Sequence, residues 1–196
     1  GTGKTLLCRA VLNLLDKRRF QAAYLPNPCL TPLALRQALA HELHLQDTAE
    51  LDEHSLLQRI NQRLIELAAA GKSTVLLIDE AQALPPRTLE SLRLLTNLET
   101  SERKLLQIIL IGQPELRAMV AAPELEQLAQ RVIARYHLQA LSADETRQYI
   151  AHRLAVAGLQ GPLPFARRAL ARVHALIGGV PRRINLLCDR ALLGAY

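Results

Sequence analysis

Val75-Leu76-Leu77-Ile78-Asp79-Glu80 is an apolar run that closes on two carboxylates, with β-branched Thr74 in front of it. Aliphatic side chains without polar alternation describe a strand covered on both faces, as in a parallel sheet. Ligands of open parallel sheets bind beyond the carboxyl ends of the strands, which is where Asp79 and Glu80 stand. Working outward, Gln21 to Leu25 is a second short run ended by Pro26, followed by a Pro-Asn-Pro loop at 26–28. Leu105 to Ile111 is a third, and Ile133 to Leu138 reads as a last strand. Helical patterns lie between them. Lys4 to Lys17 is the first; Thr31-Pro32 supplies an N-cap and a first-turn proline for a helix to about Leu43. Leu51 to Ala70 carries a helical stripe closed by Gly71, and Pro86 to Asn97 carries another. Strands alternating with helices predict an α/β fold with an αβα parallel-sheet core over residues 1–140. Beyond it the strands stop. Ser142-x-x-Glu145 is a capping box, and helices are expected to about Ala157, over Pro164 to Ile177 and over Pro181 to Leu193, giving a small helical lid at 141–196.

Composition agrees with this. The 196 residues are 49% hydrophobic but only 3% aromatic, with no Trp, which favours helices and buried aliphatic strands over a β-sandwich. The formal charge of +6 suits nucleic acid, an anionic membrane face or nucleotide phosphates alike. Arg18-Arg19 and Arg167-Arg168 read as solvated helix faces, without interleaved aromatics to stack bases. Cys8, Cys29 and Cys188 have no C-x-x-C spacing, so they read as reduced hydrophobes of a cytosolic protein, not as a disulfide framework or zinc site. No apolar run approaches the ~18 residues of a membrane span. The chain starts without Met and inside a motif, and is therefore expected to be a piece of a longer protein.

That motif is Gly1-Thr2-Gly3-Lys4-Thr5, the last five positions of G-x-x-x-x-G-K-[ST]. Glycines let backbone N–H groups curl around phosphate oxygens, and the helix behind aims its positive end at them. Gly1, Thr2, Gly3, Lys4, Thr5 and Leu6 are the expected nucleotide-binding set, with Lys4 on the β- and γ-phosphates and the Thr5 hydroxyl on Mg2+. Asp79 would hold Mg2+ through its water shell, and Glu80 would polarise the attacking water. Both motifs in this order point to Mg2+-dependent ATP hydrolysis. Gln113, at the end of the third run, either orients that water or caps the helix that Pro114 starts. Arg131 and Arg135 flank the last expected strand, and Arg182 follows Gly178-Gly179-Val180-Pro181. Arginines so placed can neutralise charge at the γ-phosphate, in cis or from a neighbouring subunit. His41 and His44 lack a third ligand and read as surface residues.

Longer segments carry a resemblance. Leu76-Leu77-Ile78-Asp79-Glu80-Ala81-Gln82, Leu92-Arg93-Leu94-Leu95-Thr96-Asn97-Leu98-Glu99 and Leu110-Ile111-Gly112-Gln113-Pro114-Glu115-Leu116 resemble the AAA+ ATPase domain of the ExeA/GspA family. So do Arg135-Tyr136-His137-Leu138 and Gly178-Gly179-Val180-Pro181-Arg182-Arg183-Ile184-Asn185. The resemblance implies an AAA+ fold and a secretion-pathway ATPase of Gram-negative bacteria. Its cytoplasmic domain would be followed by a membrane helix and a periplasmic peptidoglycan-binding region. It implies homo-oligomers and a GspB-like membrane partner that helps assemble the secretin. Pilus-assembly ATPases are close relatives and DNA-binding transposition ATPases more distant ones. Asp79-Glu80 is similar to Walker B, Gln113 takes the sensor 1 place where Asn or Thr is common, Arg182 the sensor 2 place, and Arg131 resembles a trans-acting finger. A DNA-dependent transposition ATPase and a nucleotide-gated scaffold are the competing readings.

Overall fold

Three parallel strands, β1 (Phe20–Leu25), β2 (Ser73–Ile78) and β3 (Leu106–Leu110), lie in the order β1-β2-β3, in a computed structural model that describes residues 3–26, 30–100 and 104–194. Ala23 pairs with Leu76 and Leu25 with Ile78, while Leu76 and Ile78 pair with Ile108 and Leu110. Side chains alternate along a strand, so this set shares one face of the sheet, where it packs into the main core with Leu35, Leu39, Leu56, Ile60 and Leu92. These come from α2 (Pro32–Glu42), α3 (Glu53–Ala69) and α4 (Pro86–Thr96). Val75 and Leu77, pointing the other way, are buried too. β2 therefore has no solvent face, as its unbroken apolar sequence requires.

Local chemistry places the helix ends. Thr31 accepts a hydrogen bond from Ala34 N–H at 3.2 Å, with Pro32 in the first turn of α2. Asp52 caps α3 through the N–H groups of His54 and Ser55, and Gly71 follows its C-cap at φ 77°. α1 (Lys4–Leu14) starts where the glycine motif places it but stops three residues short of Lys17. Among the described residues β1 is an edge strand; its Tyr24 N–H donates to Glu42 Oε2 at 3.0 Å. A carboxylate on that edge blunts it against pairing with another chain. After β3 come α5 (Pro114–Val120) and the short α6 (Glu126–Ala129). The Asn27-Pro28 loop and Cys29 lie outside the described residues.

The strand expected at Ile133 to Leu138 is absent. No ladder among the described residues includes it, and Ile133 and Tyr136 are fully exposed, at 101% and 100%. Its apolar and aromatic residues carry strand propensity, but propensity yields a strand only where a paired neighbour satisfies the backbone and covers the side chains.

Two compact units divide here, Thr5–Arg135 and the chain from Tyr136 on, the latter taking in Gly3 and Lys4. The second contains α7 (Ala143–Val156), α8 (Arg167–Ile177) and α9 (Pro181–Leu193) around Ile150, Leu170, Val173, Ile184 and Cys188. Both halves of the Ser142–Glu145 capping box form. α8 begins at Arg167, not Pro164, behind an extended Ala166.

Gly179 joins α8 to α9 at φ +73°, and its carbonyl accepts Leu141 N–H at 2.9 Å. A Cβ there would sit 1.9 Å from the Leu141 carbonyl oxygen, backbone against backbone. Gly158 has φ +94° but open space around its missing Cβ. Gly179→Ala is expected to lose at least about 2 kcal/mol of stability, and Gly158→Ala about 1 kcal/mol, read by chemical denaturation. Equal losses would contradict the close-approach account.

Candidate nucleotide site

Asp79 is the first residue past β2 and continues the face of Val75 and Leu77, opposite the α2–α4 core. It is 97% buried, at 3% exposure, so its carboxylate needs partners. Thr5 Oγ1, in the first turn of α1, donates to Asp79 Oδ2 at 3.1 Å. Tyr24 Oη donates to the same oxygen at 3.4 Å, and Glu80 N–H donates to Oδ1 at 2.9 Å. Thr5 and Asp79 are 74 positions apart in the chain; β2 and the N-terminal end of α1 converge at one rim of the sheet.

Glu80 is half-buried and left-handed, at φ 51° and ψ 38°. Such a backbone costs an L residue of order 1 kcal/mol and is concentrated at functional sites. The bend turns the chain into a single 3-10 turn, Ala81–Ala83, and aims Glu80 at the end of β3. There Gln113 Nε2 donates to Glu80 Oε2 at 3.2 Å. Gln82 Nε2 donates to the same oxygen at 2.5 Å, while Gln82 Oε1 accepts Gln113 N–H at 2.9 Å. Gln113 also forms the N-cap of α5, but without a side-chain capping bond; its amide turns to Glu80 instead. Gln82 was not singled out from sequence. Its one sequence signal is Gly112, where a Cβ would meet Gln82 Oε1 at 2.8 Å.

The other predicted site residues separate into groups. Gly3 has φ +91°, a conformation that favours glycine, and Lys4 opens α1 directly before Thr5. Leu6 is 73% exposed, and Gly1 and Thr2 lie outside the described residues. Arg131 is exposed in the first unit; its Nη1 donates to Thr96 Oγ1 at 3.1 Å, and it lines an open cavity with Arg93, Glu126, Gln127 and Gln130. It is not among the residues gathered around Asp79 and Glu80 in the described hydrogen-bond network. Arg182 stands exposed in the first turn of α9, in the second unit.

A model of the AAA domain family matches residues 1–120. The chain belongs to that family. As an AAA domain it is 49% identical over all 196 residues to general secretion pathway protein A of Aeromonas hydrophila, of which it spans 36%. That agrees with the ExeA/GspA resemblance. The fold is that of solved archaeal proteins. Pyrobaculum aerophilum Cdc6p matches 95% of the chain and 51% of its own, at TM-score 0.69 and 18% identity. Aeropyrum pernix ORC2 in its ADP form matches 100% and 55%, at TM-score 0.66 and 15% identity. The domain is thus an α/β P-loop AAA+ fold with a nucleotide-binding role. No helix among the described residues is long and apolar enough to cross a membrane.

Cys8 lies one turn beyond Thr5, fully buried. Burial, reinforced by the Asp79 carboxylate, pushes its thiol up to about 11 from an ordinary 9.0. The same two causes raise Tyr24. The folded state favours the protonated thiol, so its contribution to stability is full below pH 9.0 and is lost as pH rises towards about 11. At pH 8 the folded domain should leave Cys8 unalkylated by iodoacetamide and denaturant should release it, read by peptide mass mapping. Rapid labelling in the folded state would contradict this burial.

Proposed function

We propose that this domain hydrolyses ATP, with Glu80 activating the attacking water and Thr5 and Asp79 holding Mg2+. The observation that carries the reading is the Thr5–Asp79 hydrogen bond at 3.1 Å beside a Glu80 held by two amides. A hydroxyl and a carboxylate are hard oxygen donors of the kind Mg2+ takes, few in number because the ion keeps several waters. When bound there, the ion would supply positive charge that neutralises the phosphate groups. Lys4 and the loop before it bind the β- and γ-phosphates, with the N–H groups that open α1 facing them. Glu80 accepts the proton of the attacking water, and Gln113 helps fix the position of that water. Arg182 neutralises charge developing on the γ-phosphate. Arg131, exposed in the free chain, does so from a neighbouring copy in an oligomer.

The 49% identity to a general secretion pathway protein supports a role in bacterial secretion. We place the domain on the cytoplasmic face of the inner membrane, working with a GspB-like partner in assembling the secretin. The peptidoglycan-binding and membrane-spanning functions belong to regions outside this chain.

Glu80→Gln keeps the shape of the side chain and removes its basicity. Phosphate release with Mg2+ is expected to fall about 100-fold or more, while binding of a fluorescent ATP analogue persists. Unchanged phosphate release would overturn the catalytic role.

A further inference from the structure

We propose that Gln82 is a positioning residue that sets the Glu80 carboxylate against the end of β3, through an amide spanning Glu80 and the Gln113 backbone. The inference rests on the hydrolytic reading of Glu80 above. Three observations carry it. Gln82 uses both ends of its amide, Nε2 to Glu80 Oε2 and Oε1 to Gln113 N–H at 2.9 Å. That orientation is chemically dictated: an ionised carboxylate only accepts, and a backbone N–H only donates. The second is the backbone of Glu80, whose left-handed conformation needs surrounding contacts to persist. Gln82 is two residues on, in the middle of the 3-10 turn, and supplies one. The third is Gly112. Its missing Cβ leaves the space that Gln82 Oε1 occupies, 2.8 Å from where that carbon would be.

The bridge joins two strand ends that the sheet already aligns. Ala81 N–H donates to Ile111 O at 2.9 Å, and Ile111 N–H to Ile78 O at 2.9 Å. Gln82 extends this backbone ladder by one side-chain rung and ties it to a catalytic group. Gln113 Nε2 donates to the same carboxylate oxygen at 3.2 Å. Glu80 thus accepts from two amides, and those amides are themselves tied together through the Gln113 N–H. Losing the Gln82 rung lets the carboxylate swing from its aim without touching the Thr5–Asp79 pair or the glycine loop. The effect should therefore fall on turnover and spare nucleotide binding.

The test uses the full-length protein with Gln82→Met, which keeps length and removes the amide, and Gln82→Asn, which keeps the amide and loses reach. Turnover is expected to fall about 10- to 100-fold in both, with fluorescent-nucleotide affinity unchanged and the fold retained, its melting temperature lowered by a few degrees at most. In a Glu80→Gln background Gln82→Met should add no further loss, since it acts through Glu80. Wild-type turnover in both variants overturns the inference while leaving ATP hydrolysis standing. So does a parallel loss of affinity and turnover, or a full additional loss in the Glu80→Gln background. A wild-type protein that binds nucleotide and releases no phosphate overturns the hydrolytic reading and this inference together.

Discussion

Burial of β2 on both faces fixes where Asp79 emerges. Leu76 and Ile78 are committed to the α2–α4 core, Val75 and Leu77 to the opposite face, and alternation sends Asp79 after the latter pair. A one-residue slip of β2 would turn every side chain over and carry the carboxylate away from Thr5. Pairing with β1 on one edge and β3 on the other leaves no room for such a slip. The Thr5–Asp79 contact is thus a consequence of hydrophobic patterning, with the polar pair set by an apolar register.

The next residue departs from regular structure. Glu80 takes a left-handed backbone immediately after a strand, and a local cost of this kind is sustained only by surroundings that over-determine it. Here they are the Glu80 N–H bond to Asp79, the 3-10 turn, and two glutamine amides on the carboxylate. Adjacent acids consequently play different parts. Asp79 is buried and faces α1; Glu80 is half-buried and faces the end of β3.

Features governed by neighbours in sequence were legible from it. The apolar run of β2, the Thr31 cap, the Ser142–Glu145 box and the start of α1 just after Gly3 each depend on residues within a few positions. Ile133 to Leu138 was not, because a strand is a property of a pair and this segment has no partner among the described residues. Gln82 was not either: its role appears only once the Glu80 bend and the end of β3 are in place. Gly112, adjacent to a glutamine at a strand end, was the available hint. The start of α8 drifted to Arg167, where Ala166 offers no side-chain cap, and α1 ended at Leu14.

A crystal structure of the domain with Mg2+ and a non-hydrolysable ATP analogue tests the central convergence most directly. The account predicts one metal ion about 2.1 Å from Thr5 Oγ1, Asp79 contacting that ion or its waters, and Glu80 facing the γ-phosphate. Nucleotide lodged elsewhere, for instance against Arg93 and Arg131, or Thr5 and Asp79 serving different ions, would contradict it.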